Sequence, residues 1–390
     1  MHPILAPEVE SFIDANIGND ISKLALQKNP FPETDWKMIL NQIEAKTKAK
    51  DKLPNWYKTE KIIYPQKISI EQTSSEKTAQ YKSALVSGKT LIDLTGGFGV
   101  DDFYFSKQME KVIHCEINDE LSQIVKHNYE QFGISNIECI SGDGTQTLRK
   151  LQTKFDWIYI DPSRRHDAKG KVFMLKDCLP DVPGMLEFYF NYTNNLLLKT
   201  APILDIAAGL SELKYVTAIH IVAVNNEVKE LLWEIKKNYV DDIMIKTINL
   251  NAQNTEVFDF LYQQSESPFF ETPLSYLYEP NAAIMKSGGF DEVSVRFYIA
   301  KLHQHSHLYT SNHIIDFPGR VFKIEKTMPY QKSQMQALQN TKANITTRNF
   351  PDSVDSIRKK WKIKDGGDRY CFFTTDKNNN KIVLICTKIK

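Results

Sequence analysis

The sequence predicts an α/β chain. A doubly wound, largely parallel sheet should lie between a helical N-terminal region and a small α+β C-terminal domain. Three observations carry this. Residues 1–60 show only the helical apolar period. From Leu91 to about residue 262, short apolar runs alternate with helical segments, the pattern of strands joined by crossover helices. After the polar stretch Gln263-Gln264-Ser265-Glu266-Ser267-Pro268, strands and helices follow in mixed order. The expected domains are 1–68, 69–262 and 263–390, in keeping with 390 residues.

In the N-terminal region Val9–Ile13, Ile21–Leu26 and Trp36–Ile43 have helical spacing, and Asn29-Pro30-Phe31-Pro32 separates two helices. Lys61–Ile70 reads as strand-like. Thr73-Ser74-Ser75-Glu76 reads as a capping box opening a helix that runs to about Val86. Strands are then expected at 91–94, 112–116, 137–140 and 155–160, with helices at 100–108, 120–132 and 145–151 between them. A helix at 183–198, a strand at 202–206, a short helix at 210–214, a strand at 218–224 and a helix at 227–238 follow. Two last strands, 243–250 and 257–261, should form a hairpin. The C-terminal part should hold helices near 281–286, 333–338 and 354–361. Strands are expected near 308–310, 320–324 and 343–347, with a closing hairpin at 370–375 and 381–387. Residues 293–300 fit strand or helix.

The hydrophobic fraction of 42% and charged fraction of 25% exclude disordered, collagenous and disulfide-scaffold classes. No run approaches the roughly 18 apolar residues of a membrane span. The opening Met1–Glu8 lacks the basic and apolar regions of a signal peptide. Cys115, Cys139, Cys178, Cys371 and Cys386 form no C-x-x-C pair, which points to a reduced, cytoplasmic setting and away from a zinc knuckle. The net charge of +1 conceals an asymmetry. Residues 301–390 hold 17 Lys/Arg against 7 Asp/Glu, and residues 1–300 hold 32 against 41. A basic C-terminal quarter suits a polyanion; a solvated lysine face is the plainer alternative.

Chemistry concentrates at the ends of the expected strands. Asp93-Leu94-Thr95-Gly96-Gly97-Phe98-Gly99 joins a strand to a helix, so glycines can bring backbone close to a ligand at a helix N-terminus. Glu116 ends the next strand, 23 residues after Asp93, where nucleotide sites place the ribose-binding acid. Asp143 and Asp161 end the third and fourth strands. Any one of these could be a turn or cap aspartate. Four at consecutive strand ends share one crevice, where open α/β sheets bind ligands.

These residues resemble the class I S-adenosyl-L-methionine-dependent methyltransferases, a Rossmann-like family, over roughly residues 70–262. Thr95 stands where that family often has its first glycine, while Gly97 and Gly99 keep the other two. The resemblance implies that Gly97 and Gly99 face the methionine part, Glu116 binds the ribose hydroxyls and Asp143 the adenine amine. Thr73, Asp93, Thr95 and Asp161 complete the expected cofactor site. A nicotinamide dinucleotide is the rival ligand; Asp161-Pro162 and the final hairpin favour S-adenosylmethionine.

The family's fourth motif, D/N-P-P-aromatic, here reads Asp161-Pro162-Ser163-Arg164-Arg165. In amine methyltransferases the acid and a proline carbonyl receive the acceptor amine. Asp161, Pro162, Ser163 and Arg164 are therefore the expected catalytic residues, with Arg164 and Arg165 able to stack on a base, grip a phosphate or pair with Asp167 or Asp177. The long connection through His166 to Pro180 suits a lid; His166 itself reads as a loop histidine.

Tyr278–Lys286, Asn349–Asp352 and Ile357–Asp368 resemble the THUMP-like module, with a ferredoxin-like segment between. That module accompanies a bacterial group of RNA methyltransferases whose catalytic domains are similar to trimethylguanosine-synthase-type enzymes. The resemblance implies RNA as partner and a base amine as acceptor. Arg358, Lys359, Lys360, Lys362 and Lys364, with Arg165, are the expected RNA-binding residues; Trp361 among them suits either a base or the core. Two other classes fit the motifs: a methyltransferase of a protein or small molecule, and a non-catalytic cofactor- or RNA-binding protein. His303, His305 and His307 would share a face on a strand, but a polar loop fits them better than a metal site.

Overall fold

The computed structural model of the protein describes residues 3–65, 67–164, 174–252, 254–264 and 266–390. The chain forms two compact units, Met1–Thr217 with Leu232–Asp241 and Ala218–Leu231 with Asp242–Lys390. None of the described helices is long and apolar enough to cross a membrane.

The first unit opens with helices Pro7–Ala15, Ile21–Ala25, Trp36–Lys52 and Pro54–Lys58. The spacing read from the sequence puts Val9, Ile13, Leu24, Ile39 and Ile43 into one buried cluster. The expected strand at 61–70 does not form. Ile63 donates its N–H to Asn128 Oδ1 at 2.9 Å and accepts from Asn128 Nδ2 at 2.8 Å. Tyr64 N–H donates to Gln42 Oε1 at 2.9 Å, and the Gln42 amide donates back to its carbonyl. Side-chain amides thus satisfy the backbone that a neighbouring strand would otherwise pair. Residues Lys67–Gln72 form a short helix.

The capping box also moves. Ser75, not Thr73, caps the helix Glu76–Ser83, accepting from Thr78 N–H. Glu76 is drawn into buried bonds from Asn55 N at 2.6 Å, Asn55 Nδ2 at 2.7 Å and the Tyr104 hydroxyl at 2.9 Å. It is therefore not the acceptor for a cap at Thr73, three residues earlier.

Strands β1 (Thr90–Asp93), β2 (Lys111–Glu116), β3 (Ile137–Ser141) and β4 (Trp157–Ile160) follow, separated by helices Val100–Phe105, Asp119–Gln131 and Gly144–Leu151. After β4, the two-residue strands β5 (Ser163–Arg164) and β6 (Cys178–Leu179) pair antiparallel. Strand β7 (Asn195–Thr200) lies parallel to β4, with Ile158 opposite Leu196. β1 pairs in parallel with β2 and β4, and β2 with β3. The parallel core order is thus β7-β4-β1-β2-β3.

Three expectations fail beyond β4. The helix expected over 183–198 is a helix Val182–Tyr189 followed by β7, and the strand expected at 202–206 is a turn leading into a helix, Ile206–Glu212, capped by Asp205. Leu196, Leu197 and Leu198 are fully buried, and such a run carries no period that separates strand from helix. The helix expected at 227–238 is a strand. β8 (Val216–Val224) turns into β9 (Glu227–Lys236) through Asn225 and Asn226, both left-handed at φ 50° and 63°. Two such residues make the tight turn whose twist matches a hairpin.

The chain crosses into the second unit within β8, returns within β9 and crosses again after Asp241. In that unit β10 (Met244–Leu250) pairs parallel to β8 and antiparallel to β11 (Thr255–Leu261), the hairpin read from the sequence. A second sheet has the order β13-β14-β12-β15-β18-β17-β16. Its strands are β12 (Tyr276–Pro280), β13 (Ala300–Lys301), β14 (Tyr309–Ser311), β15 (Gly319–Pro329), β16 (Asn344–Arg348), β17 (Arg369–Thr375) and β18 (Lys381–Lys388). β12 was not expected from the sequence, and residues 290–297 are helical. The mixed sheets and helices make the protein an α/β chain with a C-terminal sheet domain.

Candidate functional site

Strand β1 delivers its last carboxylate into a buried turn. Asp93 is 1% exposed and accepts from Thr95 N–H at 2.7 Å and from the Thr95 hydroxyl at 3.0 Å. Burial, with Asp102 beside it, pushes the Asp93 carboxyl well above its usual range. Asp93 thus shapes the loop from below. Gly96 packs on the ring of fully buried His114, where a Cβ would sit 2.2 Å from Cε1. Gly97 is left-handed at φ 55°, with only the Thr95 carbonyl oxygen, 3.8 Å away, near where a Cβ would sit, and Gly99, at φ 75°, precedes the helix Val100–Phe105.

The other strand ends converge on the same cleft. Glu116 accepts the Gly97 N–H at 2.9 Å and the Asn118 N–H at 2.7 Å, so it braces the glycine loop. Asp143 is also a helix cap, accepting from Gln146 N–H at 2.8 Å through Oδ1. Gly144 beside it has no room for a side chain, since a Cβ would lie 2.4 Å from the Leu94 carbonyl oxygen. The cleft, about 520 Å³, is lined by Asp93, Glu116, Asp143 and Asp161 together, and by Thr73, Thr95, Gly97 and Ser163. Gly99 and Pro162 are adjacent in sequence to lining residues rather than lining it themselves. The Arg164 side chain, Arg165 and His166 lie outside the described residues.

Two residues not singled out from the sequence, Lys199 and Asp101, complete the lining. Lys199, near the end of β7, places its ammonium on the Asp161 carboxylate. Asp101, two residues after Gly99, accepts from the Ser74 hydroxyl at 2.9 Å and the Tyr159 hydroxyl at 2.8 Å, and lies 3.2 Å from Lys82. Burial would raise its pKa, but the charges of Lys82 and Lys199 and these hydrogen bonds bring it below the usual value. Lys199 was missed because its strand was expected at 202–206, beyond it, while β7 spans Asn195–Thr200. An acid in the first turn after a glycine loop was the available signal for Asp101.

The cleft chemistry separates the two rival ligands. Its described lining carries five carboxylates (Asp93, Asp101, Glu116, Asp143 and Asp161) and one lysine, Lys199. A pyrophosphate would meet that surface with like charge, whereas a sulfonium bearing an ammonium meets it with opposite charge. The volume is that of a cofactor pocket. Ile117, 74% exposed at the rim, and Leu121 offer apolar surface for a planar ring. The residues present fit S-adenosylmethionine.

In the second unit the helix Val354–Trp361 turns Ile357 and Trp361 inward, so Trp361 is a core residue at 8% exposure and not a base platform. Lys359, Lys362 and Lys364 are exposed. Arg358 pairs with Asp365, and Lys360 lies 3.2 Å from the Tyr330 hydroxyl and 3.8 Å from Asp352. Residues 303–307 form a turn rather than a strand. His303 bonds Asn379 and Asn349 at 3.0 Å, and His307 stacks on Phe290. Among the described residues no cluster could hold a metal ion.

Three stretches match described families: residues 65–175 the conserved hypothetical protein 95 family, 276–318 a ferredoxin-like domain and 319–388 a THUMP domain-like family. The whole chain is similar to the crystal structure of a methyltransferase candidate from Porphyromonas gingivalis W83. The TM-score is 0.88 at 30% identity, over 99% of this chain and 98% of that one. A curated relative, an uncharacterized RNA methyltransferase of Clostridium acetobutylicum, is 35% identical over 103 residues, 25% of this chain and 23% of the relative. Another uncharacterized RNA methyltransferase, from Caldanaerobacter subterraneus, is 34% identical over 79 residues, 20% of this chain and 18% of the relative. The matches thus span less than a quarter of either curated relative.

Proposed function

The chain belongs to the methyltransferase family of the Porphyromonas gingivalis protein, with ferredoxin-like and THUMP-like modules toward its C-terminus, and on that premise we propose that it methylates a base amine of RNA using S-adenosylmethionine. The observation that carries the reading is the cleft in which Asp161, at the end of β4, stands beside a glycine loop and four further carboxylates. We assign the methyltransferase domain to 69–262 and the RNA-meeting modules to 263–390, and place the protein in the cytoplasm with its five free cysteines.

S-adenosylmethionine, when bound, supplies a methyl group already activated on a sulfonium. Gly97, Glu116 and Asp143 would hold the cofactor, with Thr73, Thr95 and Gly99 shaping the loop around it. Asp161 and the Pro162 carbonyl accept hydrogen bonds from the acceptor amine, with Ser163 and Arg164 alongside. They aim the nitrogen lone pair at the methyl carbon. The amine gains the methyl and sheds one proton, which Asp161 takes and passes to water. Arg165 and the exposed Lys359, Lys362 and Lys364 meet phosphates, with Arg358 and Lys360 released from their pairs on binding. RNA recognition is supported by the +10 balance of residues 301–390 and by the names of the curated relatives.

The test is transfer of labelled methyl groups to total RNA from a strain lacking the gene. Label should fall in one RNA size class, and Asp161→Ala should abolish it while calorimetry still shows cofactor binding. Cofactor binding without label in any RNA would move the acceptor to a protein or small molecule, or remove catalysis. RNA affinity should fall steeply between 50 and 200 mM salt, about tenfold or more for a few phosphate contacts.

A further inference from the structure

We propose that Asp93 and Asp102 share one proton beneath the glycine loop. Asp93, as a neutral carboxylic acid donating to the Asp102 carboxylate, is then a positioning residue for the methyl-transfer site. The location of the proton rests on the chain's own residues; its consequence for cofactor binding rests on the S-adenosylmethionine reading above.

Three titratable side chains lie together under the loop. Asp93 is 1% exposed, and Asp102 and His114 are fully buried. Asp93 ends β1 opposite His114 of β2, and Asp102 lies in the helix Val100–Phe105. Asp102 Oδ2 is 2.7 Å from His114 Nδ1, so the ring proton sits on Nδ1. Asp102 Oδ1 is buried and receives no N–H or hydroxyl among the described residues. The Asp93 carboxyl lies within hydrogen-bond reach of Asp102. Two ionised carboxylates in such a site repel, and neither can donate. One proton between them turns the contact into a bond and satisfies the bare oxygen. A second proton on His114 would not serve, because Nε2 is buried without a partner and its N–H would be stranded.

The surroundings agree. The pair faces Asp101 on the same helix as Asp102, and His114, Cys115 and Glu116 on β2. It also faces Tyr129 on the helix Asp119–Gln131 and Cys139 on β3. Burial pushes both carboxyls well up and His114 down, so none of these neighbours supplies a cation at neutral pH. The bond from Asp93 favours the ionised form of Asp102, which leaves the proton on Asp93. A neutral Asp93 leaves Asp101, Glu116, Asp143 and Asp161 to face the cationic cofactor. Its Oδ1 still receives both Thr95 donors, so the proton ties the helix after the loop to the strand end that sets the loop.

The proton is read by infrared spectroscopy of the whole chain at neutral pH. The native protein should show a protonated-carboxyl C=O band, lost in Asp93→Asn. A native spectrum without that band, or a band that persists in Asp93→Asn, would overturn the assignment. Urea unfolding gives a second reading that needs no variant. The unfolded chain ionises Asp93 above 3.8 while the native chain keeps its proton. The folding constant should therefore fall as the pH rises, by up to about tenfold per unit between about pH 6.5 and 8. Asp93→Asn should remove that slope, and a flat native profile would overturn the proposal. For the positioning role, calorimetry with S-adenosylmethionine at pH 7 compares three variants. Asp93→Ala and Asp102→Asn should each weaken binding about tenfold to a hundredfold. Asp93→Asn should lose far less, because its amide accepts from Thr95 and donates to Asp102. Equal losses in all three would overturn the role of the proton. A native protein that shows the band and binds no S-adenosylmethionine would overturn the cofactor reading and leave the shared proton standing.

Discussion

The Thr95 hydroxyl accepts the backbone N–H of Asp161 at 2.7 Å. The same hydroxyl donates to Asp93, so one side chain links the loop after β1 to the first residue after β4. A glycine at this position would leave the Asp161 amide without that partner. Thr95→Val preserves shape and removes both bonds. It should cost about 1–3 kcal/mol of stability by urea unfolding and lower kcat more than it weakens cofactor binding. Thr95→Ser should behave nearly as the native protein.

Lys82 and Asp101 form an ion pair at 3.2 Å in which the lysine side chain is fully buried. Removing one partner strands the other charge. Lys82→Met should destabilise the protein by about 3 kcal/mol, and the double change Lys82→Met, Asp101→Leu should recover part of that loss. Equal stability of the single and double variants in urea would sink this account.

Gly144 presses on the backbone of Leu94, which has no flexible side chain to swing aside. Gly144→Ala should cost about 1–3 kcal/mol and weaken cofactor binding, because it displaces the loop over which Asp143 stands. Gly18→Ala, with nothing within 4 Å but a φ of 84°, should carry only backbone strain of about 1 kcal/mol and leave cofactor affinity unchanged.

His307 gives the second unit an acid sensitivity. Burial, with the charges of Lys301 and Arg348, lowers its pKa from 6.5 to about 4. The folded form stays neutral where the unfolded chain takes up a proton, so stability is lost as the pH falls from 6.5 toward 4. The loss between pH 7 and 5 should be about 1 kcal/mol, reduced from the full linkage value because the ring is only half-buried. His307→Phe, which keeps the stack on Phe290, should flatten that part of the stability profile.

Much of the architecture was legible because apolar runs ended in chemically specific residues. The runs before Asp93, Glu116, Asp143 and Asp161 are strands, and all four acids line one cleft. The helix Val354–Trp361 has the bounds its spacing indicates. The failures share a cause. Leu196–Leu198 and Leu231–Trp233 are buried without alternation, so their period is silent and a local turn decides. For β9 that turn is Asn225-Asn226, whose left-handed backbone is a weaker signal than Asn-Gly. Misplacing β7 hid Lys199, since a lysine between an expected helix and an expected strand carries no address. Lys61–Ile70 failed because its backbone partners, Gln42 and Asn128, come from distant helices that no local pattern reveals.

The core beneath the ferredoxin-like segment gathers Tyr278, Ile284, Val293, Tyr309 and Phe317 with Phe258 of β11, and Phe260 packs against it. Those two phenylalanines precede the polar stretch at 263–268, and their unit also claims residues 218–231. A gene fusion joined at 263 would deliver a C-terminal module with a hole where Phe258 belongs. The module is therefore not a freely exchangeable cassette. Descent must hand it down together with the last strands of the preceding domain, and chimeras between relatives should keep residues 218–231 and 242–261 from the same parent as the module.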